Sequence, residues 1–288
     1  MTATIPETSI NGSDSTLHVY EDLIQGEPEW LQARCGIITA SVVGQFITLG
    51  SPDPLAVHCS RCGEPEGIPC ISTARKIPTP IKTPHDERTH AANHLPPVFK
   101  VSSTDYSRAL TLTLVAERIT GYVEPVQESR DMLRGTLDEP YARDVYSERY
   151  APAHEVGFMV RDFGWGRIGY SPDGLVGNDG LIEIKSPRQK KHLATILADE
   201  VPAEHMAQIQ TGLLVSGREW LDFMSYNGGM PPYVKRVHPD PLWQAAILEA
   251  ARAFENTAAV MIGNYRLATA GQEPTERINH FPDIEIGL

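Results

Sequence analysis

The chain has 288 residues, 41% of them hydrophobic and 22% charged, a composition that allows one large domain or one domain with a small insert. It holds no run of about 18 apolar residues, which excludes a helical membrane span, and its Thr-, Ser- and Glu-rich start lacks a signal pattern, so a cytoplasmic location is the expectation. A formal net charge of −12 excludes a protein that coats nucleic acid with its whole surface, yet it is compatible with a local basic groove and with a carboxylate site that a metal neutralises.

In chain order, residues 1–16 read as a disordered polar tail. The stretch Glu29 to Ile47 predicts a helix beginning at Trp30, a short extended link at Ile37 to Thr39, and a second helix capped by Thr39 or Ser41. Cys35 stands in an apolar helical context and reads as a small core residue. Residues 51–97 are rich in Pro and charge and poor in apolar side chains, so they cannot bury much of a core and read as an insertion. Within them lie Cys59-Ser60-Arg61-Cys62, Cys70 and several histidines. Two thiolates two residues apart can share one metal, and Cys70 supplies a third. The expected fourth ligand is His85, with His58 and His90 as alternatives. Disulfides are the competing reading, but a cytosolic location favours one structural zinc ion, which would supply the folding energy of the insertion.

Asp105 to Thr120 has helical apolar spacing and Gly121 as a stop. Ser129 to Tyr150 predicts a further helix carrying Glu139, Ala142, Arg143, Val145 and Tyr146, with Pro140 interrupting early. Strands are expected at Gly157 to Val160, Trp165 to Tyr170, Trp220 to Tyr226 and Tyr233 to Val237. A helix or lid segment is expected from Lys190 to Leu197, helices from His205 to Val215 and Pro241 to Tyr265, and a tail over 271–288. This order implies an α/β fold, a mixed sheet flanked by helices.

The segment Tyr170 to Pro187 carries the chemistry. Asp173 lies in a turn after one strand, and ten residues later Glu183 and Lys185 lie two apart on the next. Side chains alternate along a strand, so Glu183 and Lys185 share a face while Ile182 and Ile184 point to the core. The Asn178-Asp179-Gly180 turn folds the second strand back as a hairpin, which brings Asp173 to the Glu183 side. Two carboxylates, an ammonium and the Ile184 carbonyl between them suit a hard divalent cation and an attacking water. This is the PD-(D/E)XK nuclease signature, and it makes the expected architecture a restriction-endonuclease-like core with a small zinc-binding insertion.

Four blocks in order then make the chain resemble the phage lambda exonuclease/YqaJ-type viral recombinase family: Trp30 to Ser41 (similar to W-x3-R-x-G-x-(I/V)-T-A-S), Arg134 to Ala142 (G-x3-E-x2-A), the Ser171 to Lys185 hairpin, and His205 to Gln210 ((Y/H)-x-x-Q-(I/V)-Q). The likeness spans 17–50 and 98–270. The insertion in turn resembles a small zinc-binding module frequent in actinobacterial and actinophage proteins, through Cys62-Gly63, Gly67 to Cys70 and Thr83-Pro84-His85-Asp86-Glu87-Arg88.

The resemblance implies that Arg34, Ser41, Ser171 and Gln208 contact the 5′-phosphate end or line the site, that Asp173, Glu183 and the Ile184 carbonyl hold Mg2+ or Mn2+, that Glu139 serves a second ion or a water, and that Lys185 orients or deprotonates the attacking water. Because residues two apart on a helix diverge, Gln210 rather than Gln208 is expected to meet the scissile region. Asp162 matches an upstream acid of the family. The implied activity is 5′→3′ degradation of linear double-stranded DNA to mononucleotides, leaving 3′ strands for a single-strand annealing partner. The implied assembly is a trimeric ring around DNA, encoded by a phage or prophage. The alternatives are a nuclease of other polarity or an endonuclease on the same core, and a non-catalytic DNA-end or partner-binding module.

Overall fold

The computed structural model describes residues 15–74, 77–125 and 129–278; the predicted N-terminal tail, up to residue 14, and the last ten residues of the C-terminal one lie outside them. Three sheets organise the described residues. The first has the order β1-β6-β7-β2, from Thr16–Tyr20 (β1), Phe158–Asp162 (β6), Arg167–Tyr170 (β7) and Ile38–Thr39 (β2). The second runs β11-β10-β9-β8-β5, from Tyr233–Val237 (β11), Trp220–Ser225 (β10), Gly180–Lys185 (β9), Gly174–Val176 (β8) and Ala153–His154 (β5). The third pairs Ile47–Gly50 (β3) with Val98–Val101 (β4). The helices are Pro28–Arg34 (α1), Asp86–Ala92 (α2), Asp105–Thr120 (α3), Arg130–Arg149 (α4), Gln189–Ala198 (α5), Ala203–Ser216 (α6) and Pro241–Ala268 (α7). The chain is thus a mixed α/β protein, as its element order implies.

The second sheet mixes strand directions. β8 and β9 form the antiparallel hairpin, with Leu175 opposite Leu181. β9 and β10 run parallel, with Glu183 opposite Phe223, and the connection between them passes through α5 and α6, as parallel neighbours require. Their crossover covers one face and α4 the other, so β9 is buried on both. Leu181 belongs to the main core with Ile168, Ile209, Leu213 and Phe223. Ile182 and Ile184 face a second cluster with Ala142 and Tyr146 of α4 and Met224. Glu183 is fully buried, where simple alternation placed it on an open face.

Two local readings change. The helix expected after Thr39 is a short 3-10 turn, Val43–Phe46, followed at once by β3; β-branched Val42, Val43, Ile47 and Thr48 with Gly44 disfavour an α-helix, and pairing with β4 claims Ile47 and Thr48. Pro140 does not end α4, which continues to Arg149. Strand β3 leaves and β4 returns side by side, with Gly50 opposite Val98, so residues 51–97 depart and re-enter at one place. Phe99 beside Trp243, ring centroids 4.7 Å apart, fastens this neck to α7.

Candidate active site and metal centre

The β8–β9 hairpin places Asp173 just before β8 and Glu183 and Lys185 on β9. The Ile184 backbone N–H donates to Asp173 Oδ2 at 2.5 Å, which ties the turn acid to the strand between the other two residues. Glu183 collects three donors. Gln208 Nε2 reaches Oε1 at 2.6 Å, the Lys185 ammonium donates to the same oxygen, and the Tyr170 hydroxyl donates to Oε2 at 3.2 Å. Tyr170 can stand there because Gly212 of α6 leaves its ring room; a Cβ at that position would lie 2.7 Å from the ring.

Glu139 enters from α4. Arg143, one turn on, holds Glu139 Oε1 through Nη2, Glu155 Oε2 through Nη1 at 2.6 Å, and the Asp173 carbonyl through Nε at 2.7 Å. One guanidinium therefore fixes the helix acid and the turn acid relative to each other. The role of Arg143 and that of Tyr170 escaped the sequence reading. The i, i+4 spacing of Glu139 and Arg143 was the available signal; nothing local marks Tyr170.

The electrostatics follow from gathering acids inside a sheet. Burial, then the Glu183 charge, holds the Asp173 carboxyl well above its ordinary range, against the opposing pull of Lys185. Burial also raises Glu139, with Arg143 opposing and Glu155 and Glu183 adding. Burial pushes the Lys185 ammonium down, but Glu183 and Asp173 outweigh it and the group ends above its usual value. Lys185 is thus held as a cation, suited to orienting a water or a phosphate oxygen rather than to taking a proton. Burial, helped by the Lys185 charge, lowers His205 to about 4; its ring stacks on Phe223 with centroids 5.5 Å apart.

Trp30 and the β2–β7 pairing connect the sequence-predicted phosphate residues. Trp30 joins two of them: its indole N–H donates to Ser171 Oγ at 2.9 Å, and the Arg34 guanidinium lies 4.5 Å from its ring centroid. β2 runs parallel to β7 with Thr39 opposite Gly169, and Ser41, in the turn that follows, lies 3.1 Å from the Thr39 hydroxyl. Gly36, at φ 66°, turns the chain between α1 and β2; its N–H donates to the Glu117 carboxylate at 2.7 Å.

Gln210 and Asp162 are corrections. Gln210 is fully buried and faces away from the acids. Its amide nitrogen donates to the His238 carbonyl at 2.9 Å and its oxygen accepts from Asp240 N–H at 2.8 Å, so it brackets the turn before α7, and the divergence of residues two apart on α6 brings Gln208 to the site instead. Asp162 accepts from Gly164 N–H at 2.7 Å and closes the β6–β7 turn, at the opposite end of β7 from Ser171.

Outside the sheets, Cys59, Cys62, Cys70 and His85 bring one ligand atom each to within 4.8 Å of one another; among the described residues this is the one such group. Neither His58 nor His90 takes part. Cys59 and Cys70 are buried, and Cys59 Sγ lies 3.4 Å from His85 Nδ1. Burial raises the Cys59 thiol. Burial also raises Cys70, but His85 N–H and the Arg88 guanidinium bring it down to about 7. Three sulfurs and an imidazole are the donor set of a closed tetrahedral zinc site.

A family model described as "YqaJ-like viral recombinase domain" matches residues 88–219, the span that holds Glu139, the hairpin and Gln208. A second model, described as "Putative DNA-binding phage zinc finger domain", matches residues 40–100, the neck and the cysteine cluster. Among solved structures the chain is similar to an alkaline exonuclease (LHK-Exo) from Laribacter hongkongensis, with 26% identity and a TM-score of 0.60 over 85% of this chain and 98% of that one. A structure of LHK-Exo in complex with dAMP gives 26% identity and a TM-score of 0.59 at the same coverage. No curated protein matches the sequence. The span matched by the recombinase model therefore lies within a fold similar to that of an exonuclease, and the zinc-finger match overlaps its start.

Proposed function

We propose that the protein is a metal-dependent phage-type exonuclease acting 5′→3′ on linear double-stranded DNA, releasing mononucleotides and leaving 3′ single strands. The observation that carries the reading is the gathering of Asp173, Glu183 and Lys185 on one hairpin with Glu139 beside them, in a fold similar to an alkaline exonuclease.

Asp173, Glu183 and the Ile184 carbonyl would hold Mg2+ or Mn2+, with Glu139 facing a second ion or a water. The donors fit: they are hard oxygens, and acids pushed up by burial and by one another's charge favour a cation among them. When bound, the ion offsets negative charge on the scissile phosphate and on the leaving oxygen. The chain's own groups do the rest. The Lys185 ammonium orients the attacking water. Gln208 and Tyr170 hold the Glu183 carboxylate in one rotamer. Arg34, Ser41 and Ser171 grip the terminal phosphate, a task suited to a guanidinium fork and hydroxyls. Arg188, Lys190 and Lys191 follow the hairpin on the surface and supply a local basic field on an acidic protein, so DNA affinity falls as salt rises.

Within the same reading, residues 17–50 and 98–270 are the nuclease core and 51–97 a zinc-stabilised insertion. The protein works as a ring-shaped trimer on DNA ends in a bacterial cytoplasm and passes its product strand to a single-strand annealing protein. The test uses linear duplex labelled at the 5′ or the 3′ end, with 5′-phosphate or 5′-hydroxyl, in Mg2+. The expected result is early release of 5′ label as mononucleotide, faster with 5′-phosphate and lost in Glu183→Ala. Internal cuts or early 3′ release would overturn the polarity. No cleavage in Mg2+ or Mn2+ would leave a DNA-end-binding module.

A further inference from the structure

Arg88 lies on α2, three residues after His85, and it is completely buried. A buried guanidinium is costly unless all its donors are met and its charge is balanced. All five N–H groups have acceptors. Nε donates to the Val57 carbonyl at 2.8 Å, and Nη2 to the carbonyls of Pro65 at 2.8 Å and Leu55 at 3.4 Å. Nη1 donates to the Ile68 carbonyl at 2.6 Å and to Cys70 Sγ at 3.5 Å. Four of these acceptors are neutral backbone oxygens. Among the described residues no carboxylate is in ion-pair range of Arg88; the insertion's ion pair joins Arg61 to Glu87, both half-exposed, instead. The one acceptor able to carry a negative charge is the Cys70 sulfur.

We propose that Arg88 is the internal counterion of the cysteine–histidine metal centre. Resting on the zinc reading of that centre, the charge count closes: three thiolates and a neutral imidazole leave a divalent ion with one surplus negative charge, and the Arg88 guanidinium cancels it at the Cys70 sulfur. The same side chain ties the Leu55–Val57 segment to the Pro65–Ile68 loop, so the ligand loop and its compensating charge are set by one residue. It also follows that Arg88 presents nothing to nucleic acid. Any phosphate contact by the insertion comes from other residues.

The test follows zinc, not cleavage. Full-length wild type, Arg88→Met and Arg88→Lys are loaded with zinc, and its loss to a chromophoric chelator is measured; cobalt-substituted samples report tetrahedral thiolate coordination by their visible bands. Outer partners of metal ligands are worth about ten- to a hundredfold in affinity, and that loss is expected in Arg88→Met. Lysine keeps the charge but not the fork, so Arg88→Lys should hold zinc at least several-fold more tightly than Arg88→Met. A lysine variant that releases zinc as readily as the methionine variant overturns the counterion and leaves Arg88 a scaffold for backbone carbonyls. An unchanged affinity in Arg88→Met overturns both roles. Wild type that takes up neither zinc nor cobalt overturns the zinc reading itself, a separate failure seen before any variant is compared.

Discussion

The acid hairpin and the cysteine insertion solve the same problem, gathering ligands of like charge, in opposite ways. On the hairpin, packing comes first. Leu181, Ile182 and Ile184 are buried in two clusters, and α4 and α6 cover the strand, so the carboxylates are held where their charges oppose one another, and Asp173 and Glu139 answer with raised proton affinity. In the insertion the ligands are the core. Cys59, Cys70, Ala92 and the Arg88 guanidinium are its fully buried groups, and the backbone is gathered around them by side-chain hydrogen bonds rather than by a sheet. The nuclease site should therefore stand without its ion, and the insertion should not.

The largest effect expected from that contrast is zinc removal. Structural zinc sites contribute on the order of 10 kcal/mol to small domains, more than this segment can replace. Stripping zinc, or Cys59→Ser, should abolish amide-exchange protection over 51–97 while β9, β10 and α6 keep theirs. Protection retained throughout the insertion would show that its backbone folds unaided. The hairpin should behave in the opposite sense. Glu183→Gln removes a charge from a crowded set of acids while leaving Lys185 an acceptor oxygen and the Asp173 charge, so stability is unchanged or raised, while losing several kcal/mol of transition-state stabilisation lowers cleavage by about a thousandfold. A melting temperature that falls together with activity would make Glu183 a structural group.

A smaller effect separates two residues on one helix. Gln210 satisfies two backbone groups at the turn before α7, and Gln210→Ala leaves them unpaired at a cost of about 1–3 kcal/mol, with cleavage per folded molecule preserved. Gln208→Ala should do the reverse, lowering cleavage about tenfold with a stability change under ~1 kcal/mol, since Gln208 is half-exposed and its partner is the Glu183 carboxylate. Urea titration beside single-turnover cleavage reads both quantities; equal stability losses would collapse the distinction.

Much of this was legible in the sequence because it is local. Turn residues, an alternating apolar strand and short motif spacings gave the hairpin, its three charged residues and the helices α3 to α7, and cysteine spacing gave the metal ligands. What escaped depends on partners distant in the chain. The burial of Glu183 comes from a crossover of α5 and α6, not from its own strand. β1 pairs with β6 across more than a hundred residues, and its own sequence, Thr16 to Tyr20, is too short to announce it. Gln208 and Gln210 are distinguished only by which way α6 is rolled, and that is set by Ile209 and Leu213 entering the core. Arg88 entered the sequence reading only as the last residue of the Thr83-to-Arg88 motif, without a role of its own, because a guanidinium satisfied by carbonyls leaves no mark on composition.

The smallest effect tests how far the acid site is dry. Burial and Lys185 lower His205 to about 4, from an ordinary value near 6.5. The folded state therefore prefers the neutral ring. Between those two values the unfolded chain binds the proton and the folded chain does not, so this contribution is complete above pH 6.5 and is lost as pH falls towards 4. The residue is partly exposed, and allowing for screening the loss is about 1–2 kcal/mol. Asp173 and Glu139 act in the opposite sense: their raised values mean that the fold takes up protons more readily than the unfolded chain, so their contribution grows as pH falls. Total stability mixes the two, and the difference between wild type and His205→Phe isolates the histidine, since phenylalanine keeps the stacking on Phe223. Urea denaturation at pH 7 and pH 4.5 should show wild type losing more than the variant, and Lys185→Ala should narrow that gap by removing the second cause of the shift. An identical loss in wild type and His205→Phe would mean that water reaches the ring and that the helix above the acids is open.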